Sequence, residues 1–163
     1  MSLLHDVLSR FSPAVAAYAG DETLMQAAVS AAANVIVADG EMSGDEFEAA
    51  LVGMRTNPIL EKGYDTLMLE GELYDAVARA RTRGGRFENL RRVAALAERP
   101  SAQRQDVFLI AADVADQDGI SAIENRALDE IADGLAVDKD DLLLRAVARP
   151  MPAASAEGLL PRP

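Results

Sequence analysis

The chain has 163 residues, and 16 Lys and Arg against 27 Asp and Glu leave a net charge of −11. That length suits one domain able to bury roughly two-thirds of its unfolded surface, and a half-apolar composition excludes global disorder. The absence of Cys excludes disulfides, zinc–thiolate sites and thiol chemistry, the lone His5 excludes a multi-His metal site from one chain, and the acidic balance argues against nucleic acid as a partner.

Almost every segment reads as helix, because Ala, Leu, Glu and Arg dominate and no strand-length run alternates. Residues 1–20 form an amphipathic segment whose Leu4, Val7, Leu8 and Phe11 recur at i, i+3, i+4 and i+7. This stripe is expected to pack on the domain, since the basic polar face of a membrane-surface helix is missing. Ala17-Tyr18-Ala19 has the small residues of a leader-cleavage site, but no basic stretch precedes it, and Asp6 and Arg10 interrupt the apolar run. No partner constellation marks His5 as a general base.

Asp21 is placed to cap a helix running to about residue 38. That helix is apolar nearly all round, too short for a span of about 20 residues, and punctuated by Gln26, Ser30 and Asn34. It reads as a buried central helix. A second helix follows Ser43 and fades near Asn57-Pro58, and a third covers about residues 67–82. Phe87, Leu90, Val93, Leu96 and Ala97 make the next apolar stripe, ending before Pro100, while Gly84-Gly85 marks a helix–helix turn. Helices over residues 101–115, 122–135 and 138–148 complete the set. Tyr64 and Tyr74 are expected at the edges of the core with their hydroxyls in water. The Pro-rich tail, residues 149–163, is expected to be disordered. The domain proper is residues 21–148.

One pattern occurs twice: an Ala-rich helix, Asp-Gly, Ser-x-x-Glu, then another helix. The first copy is Asp39-Gly40-Glu41-Met42-Ser43-Gly44-Asp45-Glu46, and the second is Asp118-Gly119-Ile120-Ser121-Ala122-Ile123-Glu124. The glycines, 79 residues apart, suggest two pseudo-repeated helical hairpins within an all-α bundle of about seven to eight helices. Gly in a left-handed conformation ends the first helix of each, and Ser with Glu three residues on forms a capping box. Those devices do not explain the Asp before each Gly, since a carboxylate at a helix C-terminus opposes the macrodipole. Asp116 crowds the second corner further. Either an Asx turn or a cation offsets such charge. Neither corner is an EF-hand: with each Gly at loop position 6, Val35 or Val114 falls at position 1 and Asn125 at position 12 of the second copy. A divalent ion would therefore bridge carboxylates of both copies or keep several waters.

At these residues the chain resembles the TerB-like family of tellurite-resistance and stress-response proteins, over about residues 21–147. Ala38-Asp39-Gly40-Glu41-Met42-Ser43-Gly44-Asp45-Glu46 follows the family's Ala-Asp-Gly-Glu-hydrophobic-Ser and acidic-pair pattern, and Ala115-Asp116-Gln117-Asp118-Gly119-Ile120-Ser121 is similar to its later motif. The resemblance implies an all-α, non-enzymatic module that binds a divalent metal cation through acidic residues and is linked to membrane-associated stress complexes. By position it implies Asp39, Glu41, Asp45, Glu46, Asp116, Asp118 and Glu124 as the acidic site. All-oxygen ligands favour Ca²⁺ or Mg²⁺. The second copy is one residue shorter between Gly and Glu, which counts against Glu124 as a direct ligand and leaves its capping role. An acidic, thiol-free chain is poorly suited to capturing or reducing the tellurite anion itself.

Basic residues are segregated. Arg79, Arg81, Arg83, Arg86, Arg91, Arg92, Arg99 and Arg104 face only Glu88 and Glu98 between positions 79 and 104, a net +6 that leaves −17 elsewhere. This run is either a solvated face pairing with the protein's own acids or a docking face for an acidic protein or anionic lipid. The expected function is a cation-linked interaction module with protein partners, cytoplasmic or peripheral to the inner face of the membrane. The alternatives are a metal-free scaffold using the arginine face, and a carboxylate-bridged metal hydrolase, which lacks a positioned base or His ligand.

Overall fold

The structure, a computed structural model, describes residues 20–148 apart from Asp118. Among the described residues the fold is a single bundle of eight α-helices with no strand: α1 Glu22–Ile36, α2 Gly44–Thr56, α3 Pro58–Gly63, α4 Thr66–Ala80, α5 Arg83–Ala94, α6 Ser101–Ala115, α7 Ala122–Leu135 and α8 Lys139–Ala148. The amphipathic segment before Gly20 and the Pro-rich tail lie outside the described residues.

Helix α1 is the central post. Twelve of its fifteen residues are buried, and it packs against α4, α5 and α6, with α2 and α7 at its flanks. Asp21 caps it as expected, accepting from the Leu24 amide at 3.1 Å. No helix among the described residues is long and apolar enough to cross a membrane. Its alanines, Ala27, Ala28, Ala31, Ala32 and Ala33, are fully buried and let neighbouring helices approach closely. Leu69 and Leu73 of α4, Phe108 of α6, and Leu128, Ile131 and Leu135 of α7 fill the spaces around it.

Three details differ from expectation. Asn57 does not simply end α2. Its side chain accepts from the Ile59 and Leu60 amides and starts the six-residue α3, with Pro58 in the first turn where its missing N–H costs nothing. Phe87 is not core: it is 70% exposed, and the buried side of α5 is Asn89 and Val93. The stripe fails because a buried asparagine occupies the position that the apolar pattern assigned to solvent. Gly84 and Gly85 lie inside the first turn of α5, after a corner made by Arg81 and Thr82. A Cβ at Gly85 would fall 1.6 Å from the Arg79 carbonyl oxygen, so this close crossing admits only glycine. The tyrosines sit as expected, Tyr64 partly buried and Tyr74 at the surface with its ring 4.5 Å from that of Phe47.

The arginine run is largely turned inward. Arg99 forks onto Asp21, Nη1 to Oδ2 at 2.7 Å and Nη2 to Oδ1 at 3.2 Å, tying the segment before α6 to the start of α1. Arg104 donates to the carbonyls of Arg99, Leu135 and Ala136, satisfying the end of α7. Arg92 reaches Gln26 and Glu88, Arg91 pairs with Glu88, and Arg86 donates to the Ala80 carbonyl. Arg79 donates through Nε to Asn89, whose amide in turn donates to Asn34 and to the Ala76 carbonyl. Burial and the nearby Arg92 charge both lower the Arg79 pKa.

Candidate metal centre

The two corners share the geometry of their glycines and serines. Gly40 and Gly119 each have φ of +85°, a conformation that L side chains rarely adopt. Ser43 accepts from the Glu46 amide at 3.1 Å, and Ser121 from the Glu124 amide at 3.2 Å. Each cap therefore fixes a glutamate at the third helical position, whatever the distance back to the glycine.

The fold then brings the corners together. Carboxylate oxygens of Asp39, Glu46 and Glu124 all lie within 4.8 Å of one another. Asp39 comes from the corner after α1, Glu46 from the first turn of α2 and Glu124 from the first turn of α7. Glu124 enters this cluster despite the shorter spacing of its copy. It is 7% exposed, and among the described residues its carboxylate makes no hydrogen bond or ion pair. A carboxylate so far out of water needs a positive charge or donors beside it. The Asx turn is also present: Asp39 Oδ1 accepts from the Glu41 amide at 3.0 Å. The turn does not exclude a cation, because a carboxylate has lone pairs enough for both.

The remaining candidates divide. Glu41 is exposed and lines a groove of about 710 Å³ with Asp39, Arg81 and Arg86. Asp45 and Asp116 sit apart from the triad in a groove of about 510 Å³ between α2 and α6, joined there by Glu48 and Asp113. Burial and the Asp116 charge raise the Asp113 pKa, and burial raises that of Asp106 farther along α6. Asp118 is outside the described residues. Glu48 and Asp113 were not among the expected site residues, though each lies three positions from one that was, on the same helical face.

Three oxygen donors from three elements, one of them buried, fit a hard divalent cation better than zinc or copper, which favour nitrogen and sulfur. No protein-family model, curated protein or solved structure matches this chain.

Proposed function

We propose that this chain is a TerB-like stress-response module of the tellurite-resistance type, without catalytic activity, that uses Asp39, Glu46 and Glu124 to hold a divalent cation and docks on protein partners. The observation that carries the reading is the meeting of carboxylates from two corners 79 residues apart in sequence. A cation there would neutralise like charges and join the end of α1 to the starts of α2 and α7. The shared corner geometry supports reading the two hairpins as pseudo-repeats. Ca²⁺ or Mg²⁺ suits the all-oxygen set. Of the arginine face, Arg81, Arg83 and Arg91 remain exposed around Phe87, and this patch is the part left for an acidic partner or a membrane-associated complex.

Calorimetric titration of the metal-free full chain with Ca²⁺, Mg²⁺, Mn²⁺ and Zn²⁺ tests the site. Saturable binding that is lost in Asp39→Asn/Glu124→Gln is expected. No binding at millimolar ion would remove the cation from the proposal and leave the corners as capped turns.

A further inference from the structure

Two surfaces lie outside the cation reading, and they are opposites. The first is the outer side of α5. Phe87 is 70% exposed there. Arg83 and Arg91 stand at i−4 and i+4 from it, about 6 Å along the axis in each direction. Arg83 has no hydrogen bond or ion pair among the described residues. Arg91 keeps 77% of its side chain in solvent while sharing Glu88 with Arg92. A lone aromatic between two guanidinium groups is a knob and not a membrane face, which needs a broad apolar stripe.

The second surface is the groove of about 510 Å³ between α2 and α6. Ala49, Val52 and Gly53 of α2 give it an apolar side, with Val52 45% exposed. Asp45 and Glu48 from α2, and Asp113 and Asp116 from α6, supply its charge. No basic residue lines it among the described residues. Of the four acids only Glu48 has an ion-pair partner there, Arg55 at 3.4 Å, in an exposed bridge that contributes little. Carboxylates around an apolar patch suit a cationic partner with an apolar body. An apolar cavity of about 150 Å³ holds a benzene ring, so the groove has room for one aromatic side chain. Phe87 does not line its own chain's groove, so the matching knob has to come from another molecule.

We propose that a second copy of this chain is that partner: Phe87 of one copy enters the α2–α6 groove of the next against Val52, with Arg83 and Arg91 on the groove's carboxylates. The contact is head to tail, because knob and groove are different surfaces. Charge complementarity argues for this occupant, since each copy carries both the basic knob and the acidic groove. Repulsion between two chains of net charge −11 is screened beyond about 8 Å at physiological salt, so the local match decides. One knob and a small rim make a weak, reversible contact, in the class that buries less than about 1,200 Å². The inference rests on the docking reading of the arginine patch and not on the cation.

Sedimentation velocity of the full chain over a concentration series tests it. Concentration-dependent association is expected, weakened about threefold or more as salt rises from about 0.05 M to about 0.5 M. Phe87→Ser and Val52→Lys should each weaken it about tenfold or more. Both positions are exposed, and mixing the two variants supplies the control for folding. The groove of Phe87→Ser still accepts the Phe87 of Val52→Lys, so the mixture should restore a contact that stops at the dimer. Wild-type association that Val52→Lys leaves intact, or that the mixture fails to restore, would overturn the proposal. A chain that stays monomeric at millimolar concentration would overturn it too. Shifts of the α5 amides around Phe87 with a poly-glutamate peptide would then keep the docking reading for another acidic protein. Shifts with anionic phospholipid vesicles alone would place the patch on lipid, and no shift with either would remove the docking reading as well.

Discussion

The arginines of residues 79–104 and the carboxylates of the two corners are both dense in like charge, yet the structure disposes of them differently. Six of the eight arginines find acids, amide oxygens or carbonyls, three of them at helix ends. A guanidinium on a long stem can reach across a helix and fork onto carbonyl or carboxylate oxygens. The corner acids have shorter stems, stand on backbone positions set by the Ser43 and Ser121 caps or, for Asp39, in an Asx turn, and bring carboxylate oxygens within 4.8 Å of one another. Two carboxylates at that separation repel by about 3 kcal/mol at an effective dielectric near 20, and less where water reaches Asp39. Charge that can reach a partner becomes architecture, whereas the proposed cation is what would balance carboxylates brought this close.

This contrast can be broken at three points. The largest effect is expected from Arg104→Ala, which strips three carbonyls of their donor and should cost about 2–3 kcal/mol in urea unfolding. A change below about 0.5 kcal/mol, the size seen at ordinary surface sites, would show that the arginines are ornaments on a helical scaffold. Next comes Asp21, held below its usual pKa of 3.8 chiefly by the Arg99 guanidinium. A lowered carboxyl pKa contributes stability that is complete above the unfolded value and is lost as pH falls through the folded one. Arg99→Gln should cost about 1 kcal/mol near neutral pH, a modest figure because the pair is partly solvated, and progressively less as pH falls below 3.8 and Asp21 is protonated. Unfolding curves that stay separated in acid would contradict the linkage. The smallest effect has the opposite sign: without metal, Glu124→Gln should stabilise the fold by about 1 kcal/mol through relief of repulsion. Saturating cation should reverse the order of the two melting curves. A loss of stability in chelator would mean that Glu124 is already satisfied.

Much of the architecture was legible because helix ends are locally encoded. Asp21, Ser43 and Ser121 all cap where their sequence context places them, and the nearly all-apolar run of α1 is indeed the buried post. Phe87 was illegible for the opposite reason. An apolar periodicity cannot register that Asn89 has partners waiting on α1 and α4. The short α3 was hidden because Asn57-Pro58 signals a stop and a start with the same two residues. At the site, the carboxyl-bearing positions were readable from the duplicated motif, but the choice among them was not. Counting from glycine kept Glu124 among the candidates but counted against it as a direct ligand. The chain counts from serine, and the cap delivers Glu124 to the third helical position in either loop length. Which acids meet depends on α1, α2 and α7 converging, a matter of packing across the whole bundle.

The buried Asn34–Asn89 bond carries one more consequence. Helix α1 is studded with alanines, knobs so alike that a slide of one turn, about 5.4 Å, would still find small residues against its neighbours. The Asn89 amide, donating to Asn34 at 3.0 Å and to the Ala76 carbonyl at 3.1 Å, tolerates no such slide, because each orphaned polar group costs about 1–3 kcal/mol. The pair works as an index mark on an otherwise ungraduated rod. It meters how far α1 advances past α4 and α5, and so where Asp39, five residues beyond the mark, arrives. Replacing both asparagines with leucine should cost the acceptor of the Arg79 Nε–H as well as the index mark, and a shifted α1 would carry Asp39 away from Glu46 and Glu124.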